Sequence, residues 1–137
     1  MIDQCNEDAR SVFELASKIG RNFQHDSLRS EHLLIALANF ANRNKGSGLA
    51  RLFKASNLCP RVVRSEVEKL IVSGVGIVSG DGELPTTPDI KIVFELAREN
   101  SRELGSELVG CEDLLIAISK RKDLIGGMIL WNLGCSL

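Results

Sequence analysis

The sequence lacks the features that mark several common classes of protein. It has 17 basic and 18 acidic side chains among 137 residues, so no charge excess is available to attract a polyanion or an anionic lipid surface. It contains no run of 18 uninterrupted apolar residues, and its acidic start, Met1-Ile2-Asp3, is unlike a secretion signal. These absences disfavour nucleic acid and membrane as partners, and predict a cytoplasmic or equivalent reducing compartment.

The sequence also offers little to metal or thiol chemistry. The four cysteines are widely separated and form no Cys-x-x-Cys pair: Cys5, Cys59, Cys111 and Cys135. We predict free, mostly buried thiols, no metal and no cofactor. Of the two histidines, His25 lies in a polar loop and is predicted to be solvated, whereas His32 is predicted to pack or hydrogen-bond between helices. Neither is paired with a nucleophile at a known spacing, which disfavours a catalytic triad.

What the sequence does contain is an internal duplication. Val12 to Leu37 matches Val93 to Ile118 at a constant offset of 81 residues without a gap, and 11 of the 26 positions are identical. Only about one or two would match by chance at ordinary residue frequencies. Such a duplication is typical of stacked helical modules.

Helical periodicity gives the first copy four predicted helices. The first runs from about Glu7 to Arg21 behind the capping residue Asn6, and Ser30 is predicted to cap the second. The third runs from about Leu49 to Ser56. Pro60 suits the first turn of the fourth, which carries an apolar stripe: Val63, Val67, Leu70 and Ile71. The first copy thus occupies about residues 1–73.

The second copy, about residues 87–137, begins with Thr87 as cap and Pro88 in the first helical position. Cys111 occupies the position in the second copy that is equivalent to Ser30. Gly126 to Leu133 should form the seventh helix. The chain ends at Leu137, where an eighth helix would start. We therefore predict a single all-α domain over 1–137, built from two pseudo-symmetric four-helix repeats, with the last helix of the second repeat either missing or beyond this sequence.

The segment between the copies, about residues 74–86, contains four glycines and is predicted to be a flexible connector. A short extended strand over Val75, Ile77 and Val78 is the alternative.

Two motifs within these repeats carry a family resemblance. Val-Phe-Glu-Leu-Ala at Val12, a polar loop, and then Ser-Glu-His-Leu-Leu-Ile-Ala-Leu from Ser30 resemble the amino-terminal repeat domain of the Clp family of AAA+ protein unfoldases, especially its ClpA and ClpC branch. The Thr87-Pro88 start of the second copy is similar as well. In that family each repeat is a four-helix unit with the signature Thr-Glu-His-Leu-Leu. The resemblance covers nearly the whole chain.

The resemblance implies a non-catalytic docking module that recognises protein substrates or adaptor proteins for a Clp ATPase or protease. The sequence agrees, because it contains no Gly-x-x-x-x-Gly-Lys-Ser/Thr loop to hold a nucleotide. Two organisations stay open. The chain is either part of a longer unfoldase or a free-standing accessory subunit that binds a Clp protease core. A small thiol enzyme is a third reading, and it requires an exposed cysteine with a depressed pKa.

Some ClpC-type members of the family read phosphorylated arginine. Carried over by position, their ligand-binding residues would be Glu31 with Asn6 in the first copy and Glu112 with Thr87 in the second. A helix amino terminus could receive the phosphoryl group while the carboxylate pairs with the guanidinium. The same residues also satisfy ordinary capping needs. Asp113 replaces the histidine of the signature, and the unequal positions favour the second copy for any ligand.

Two further expectations concern side chains outside these motifs. The large aromatic residues Phe53, Phe94 and Trp131 fall on apolar stripes and are predicted to lie in the core. Basic residues lie beyond the second helix of each copy, where they form either solvated faces or the frame of a surface for an acidic partner: Arg43, Lys45, Arg51 and Lys54, and Lys120, Arg121 and Lys122. A helix-turn-helix DNA reader is disfavoured by the near-neutral charge.

Overall fold

The structure, a computed structural model, describes residues 1–74, 80, 82–135 and 137, and this part of the chain is all-α. A short 3₁₀ turn at Ile2–Gln4 precedes seven helices: α1 Glu7–Asn22, α2 Ser30–Arg43, α3 Gly48–Ala55, α4 Pro60–Leu70, α5 Pro88–Glu103, α6 Cys111–Ser119 and α7 Ile125–Asn132. The predicted fold class is confirmed. The alternative strand at Val75, Ile77 and Val78 lies outside the described residues.

The two copies pack around a shared core in which α2 is covered on most of its circumference. Helix α2 contacts α1, α3 and α4 of its own copy, and α5, α6 and α7 of the other. Phe13 and Phe94, which the offset of 81 makes equivalent, meet with their rings 6.4 Å apart in an edge-to-face arrangement. Equivalent residues can meet only near the symmetry axis, so this contact supports the predicted pseudo-twofold relation.

Two parallel backbone bridges tie the copies together. Cys5 pairs with Val109, and Leu28 pairs with Thr86. The offset of 81 converts one pair into the other, since Cys5 corresponds to Thr86 and Leu28 to Val109. In each bridge, the residues just before the first helix of one copy therefore pair with the loop before the second helix of the other copy.

The prediction for Trp131 was wrong, although Phe53 and Phe94 are buried as expected. Helix α7 buries the face that carries Gly126, Gly127, Ile129 and Leu130, and Trp131 lies on the opposite face with 59% of its surface exposed. Because the α7 sequence is apolar on all sides, its periodicity does not indicate which face is covered. Leu70, predicted on the inner stripe of α4, is likewise half exposed at the end of that helix.

Candidate functional site

The start of helix α1 is capped as predicted, but the start of α5 is not. The Asn6 side-chain oxygen accepts a hydrogen bond from the Ala9 amide at 2.9 Å. Thr87 occupies the cap position of α5, yet its hydroxyl donates to the Leu28 carbonyl at 3.0 Å instead of capping the helix. Its backbone amide donates to the same carbonyl at 3.2 Å. Thr87 therefore holds the two copies together.

The bridges place the four candidate residues in a crossed arrangement. The sequence predicts that Asn6 lies beside Glu31 and that Thr87 lies beside Glu112. Instead, the Asn6 amide donates to the Val109 carbonyl at 2.9 Å, next to the residues that open α6, whereas Thr87 binds Leu28, next to those that open α2. We call residues 110–113 the α6 start and residues 29–32 the α2 start. Each start lies beside the first-helix cap of the opposite copy.

The glutamates of the two starts differ in exposure. Glu31 is 5% exposed, and the hydroxyl of Ser30 lies 3.4 Å from its carboxylate. Glu112 is exposed, and its carboxylate faces the first turn of α3: a Cβ atom added to Gly48 would lie 2.9 Å from Glu112 Oε2. A carboxylate in this position complements the positive end of the α3 dipole. Only the glutamate of the second copy is accessible to a ligand.

Ser30 was predicted to cap α2, but it is the first residue inside that helix. Its hydroxyl accepts a hydrogen bond from the Gly126 amide of α7 at 3.2 Å. In both α2 and α6, the side chain of the third helical residue accepts a hydrogen bond from the backbone amide of the residue before the helix. His32 Nδ1 accepts from the Arg29 amide at 3.1 Å, and Asp113 accepts from the Gly110 amide at 2.9 Å. Aspartate can thus replace histidine because both supply the same acceptor.

His25 is buried, contrary to the prediction that it is solvated, because it belongs to a hydrogen-bonded chain with His32. His32 Nδ1 is an acceptor, so its proton lies on Nε2 and is donated to His25 Nδ1 at 2.7 Å. His25 Nε2 in turn donates to the Val72 carbonyl at 2.7 Å. Burial, with smaller contributions from His25 and Arg29, lowers the pKa of His32 to about 4. The two imidazoles therefore attach the end of the first copy to its core.

The four cysteine thiols differ in burial. Burial raises the pKa of the Cys5 thiol to about 11 and that of Cys111 to about 12. Cys59 is exposed and Cys135 is half-buried, and all four thiols are free. Among the described residues, no group of three His, Cys, Asp or Glu side chains could hold a metal ion. Helices that could span a membrane are also absent from this part of the chain.

We expect thiol labelling to divide the cysteines by burial. In the native protein Cys59 should react rapidly with a disulfide reagent, and Cys5 and Cys111 should react only after unfolding, because each is buried and its thiolate is disfavoured. Mass spectrometry of labelled peptides checks the assignment. Rapid native labelling of Cys111 would contradict the described packing.

A second prediction concerns the cap of α1. Asn6→Ala removes the acceptor for the Ala9 amide and should lower the free energy of unfolding by about 1 kcal/mol. Asn6→Asp, which keeps an acceptor, is the matched control and should stay close to the parent protein. Urea denaturation measures both variants. Equal losses in the two would show that the cap is unimportant.

Comparison with known proteins finds a family model and curated relatives that match nearly the whole chain. The family model described as the Clp repeat (R) N-terminal domain matches residues 4–133. The chain is 33% identical over 135 residues to the chloroplastic chaperone protein ClpC of Pisum sativum, covering 98% of this chain and 14% of that protein. It is 34% identical over 138 residues to the ClpA homolog of Cyanidium caldarium, an ATP-dependent Clp protease ATP-binding subunit, covering 100% of this chain and 15% of that protein.

Solved structures with the same fold include the N-terminal domains of two other proteins. The N-terminal domain of the chaperone ClpD from Arabidopsis thaliana superposes with a TM-score of 0.74 at 21% identity, covering 99% of this chain and 91% of that one. The N-domain of ClpV from Vibrio cholerae gives a TM-score of 0.75 at 19% identity, covering 98% and 79%. At such identities the likeness shows the fold. The chain spans about a seventh of the length of the curated relatives above.

Proposed function

The chain belongs to the Clp repeat N-terminal domain family, and from this membership we propose that it recognises protein substrates or adaptor proteins for a Clp-type ATP-dependent unfoldase or protease. It contributes recognition, and catalysis is carried out by other domains or partner chains. We also propose that the protein works in a reducing compartment such as the cytoplasm, which suits its free thiols.

Family membership carries the proposed function, and the exposed carboxylate of Glu112 at the junction of the two copies selects the proposed binding residues. Glu112 lies in the first turn of α6. The Asn6 side chain lies against Gly110, the residue before that helix, since a Cβ atom added to Gly110 would lie 3.0 Å from the Asn6 side-chain nitrogen Nδ2. An exposed carboxylate can pair with a guanidinium or ammonium group of a bound protein. Glu31 and Thr87, by contrast, are largely occupied by contacts inside the domain. We therefore propose Glu112 with Asn6 as the ligand-binding pair.

Phosphoarginine is one ligand that this pair could receive. Calorimetric titration of the free modified amino acid into the protein, repeated with Glu112→Ala, tests the idea. Glu99→Ala, which removes an exposed carboxylate from α5, is the matched control. We expect heat of binding that Glu112→Ala abolishes and Glu99→Ala preserves. No heat with the parent protein would rule out phosphoarginine and leave protein ligands to be tested separately.

Affinity capture distinguishes the two organisations left open by the sequence. If the chain is a free-standing accessory subunit, the immobilised protein should retain purified Clp ATPase or protease subunits. If it serves as the docking domain of an unfoldase, it should retain substrates or adaptors and not the protease core. Retention of neither class would contradict the proposed function.

A further inference from the structure

The outer face of helix α7 is apolar and uncovered by the described part of the chain. Ile125, Met128 and Trp131 are 42%, 38% and 59% exposed, and their spacing of three residues places them on one stripe of the helix. The opposite side of α7 packs on the core through Gly127, Leu130 and their neighbours. Clustered exposed apolar side chains of this size mark interaction sites more often than single ones do.

Comparison with α3 shows that the fold does not require this apolar face. Helices α3 and α7 are both eight residues long, starting at Gly48 and Ile125, so aligning their starts pairs Arg51 with Met128 and Lys54 with Trp131. Arg51 and Lys54 are exposed, as expected for a solvated surface. The second copy has large apolar residues at the positions where the first has cations.

One cation lies directly against this apolar stripe. The Lys122 ammonium lies 3.3 Å from the centre of the Trp131 ring, a cation–π contact. Arg121 is engaged, since its guanidinium donates to Asp123 Oδ1 at 2.8 Å. Among the described residues, Lys120 and Lys122 take part in no ion pair. The apolar stripe therefore has one cation in contact with it, Lys122, and a second exposed lysine, Lys120, lies two residues earlier in the chain.

We propose that the outer face of α7 binds an amphipathic segment of a protein partner in which acidic side chains flank the apolar ones. The apolar residues of that segment cover Trp131 and Met128, and its carboxylates pair with Lys120 and Lys122. A second copy of this chain fits less well, because a symmetric contact through α7 would bring like charges together. The inference rests on the proposed function and adds the chemistry of the partner.

The chain has a single tryptophan, so Trp131 fluorescence reports directly on this face. The probe is a designed helical peptide of about 18 residues with leucines on one face and glutamates beside them, a length sufficient for a helix. A matched peptide has lysines in place of the glutamates. We expect the acidic peptide to shift Trp131 emission to shorter wavelength and to reduce acrylamide quenching. The basic peptide should bind at least roughly tenfold more weakly.

Two variants localise the binding. Met128→Arg copies the residue of α3 and should weaken the acidic peptide by roughly tenfold, the effect of losing one buried anchor. Leu104→Lys, an equally cationic change at an exposed leucine after α5, should leave the affinity unchanged.

Any of four results would overturn the proposal: an unchanged Trp131 spectrum with the acidic peptide, equal binding of the two peptides, self-association of the free chain that buries Trp131, or capture of Clp partners by Met128→Arg at the parental level. Each would remove this surface only. Absence of capture by the parent protein, by contrast, would count against the proposed function itself.

Discussion

Gly127→Ala should destabilise the domain by about 3 kcal/mol or more, at the upper end of the cost of overpacking. In a helix interior this change ordinarily stabilises by about 1 kcal/mol, so the expected sign is reversed. The reason is contact with backbone. A Cβ atom at this position would lie 1.8 Å from the Arg121 carbonyl oxygen and 2.6 Å from that of Ile118. Neither atom can move without displacing the turn that joins α6 to α7.

The close approach at Gly127 follows from a difference between the copies. Helix α2 continues to Arg43, whereas α6 ends at Ser119, five residues earlier by the offset of 81, so α7 packs directly over the last carbonyls of α6. Urea denaturation and a thermal melt measure the effect. Gly46→Ala is the matched control, since a Cβ there would meet no atom within 4 Å. A Gly127→Ala variant as stable as Gly46→Ala would show that α7 does not pack as described.

The second large effect is a loss of stability in acid that originates in His32. Its pKa is about 4 in the folded protein and 6.5 in an unfolded chain, so between these values the unfolded state binds more protons. The free energy of unfolding should therefore be fully maintained above about pH 6.5 and should fall by about 3 kcal/mol as the pH drops to about 4. The loss is complete about one pH unit below the folded pKa, and this residue contributes nothing further at lower pH.

Geometry gives the same sign as the pKa. A second proton on His32 would sit on Nδ1 and oppose the Arg29 amide that now donates to it, and a second proton on His25 would oppose the His32 Nε2 proton. The charged and titratable groups facing His32 are His25 and Arg29, both of which lower its pKa.

The variant His32→Gln isolates this contribution. Glutamine keeps an acceptor suited to the third helical position but takes up no proton. Denaturation of the parent protein and the variant at a series of pH values provides the comparison, in which shared carboxylate effects cancel. The difference between the two curves should be steep between pH 4 and 6.5 and flat above. Parallel curves would show that His32 is not the origin.

The fold was accessible from the sequence because the signals were local and repeated. The cap at Asn6, the proline at Pro88 and the apolar stripes each predict a helix from a few neighbouring residues, and the duplication supports each prediction twice. Exposure was predicted less well. A helix that is apolar on all sides, such as α7, does not reveal its covered face, and so Trp131 was assigned to the core.

The arrangement of the candidate site depended on contacts between the copies, which local patterns do not encode. Asn6 and Thr87 were assigned to the glutamates of their own copies because sequence order suggests it. The bridges at Val109 and Leu28 reverse that assignment. The burial of His25 was missed for a similar reason, since its partners, His32 and Val72, are 7 and 47 residues away. The two bridges are related by the same offset as the duplication, but the duplicated sequence does not by itself reveal that these residues pair between the copies.

The most direct test of the docking role is quantitative capture of Clp adaptors, substrates or subunits by the parent protein, Glu112→Ala and Glu99→Ala in parallel, with mass spectrometry as the readout. The proposed function predicts that the parent and Glu99→Ala retain the same Clp-system proteins, and that Glu112→Ala retains at least roughly tenfold less, as for loss of a charged contact at an interface. Equal retention by all three proteins would contradict the assignment of Glu112. Retention of no Clp-system protein or substrate by the parent would contradict the docking role itself.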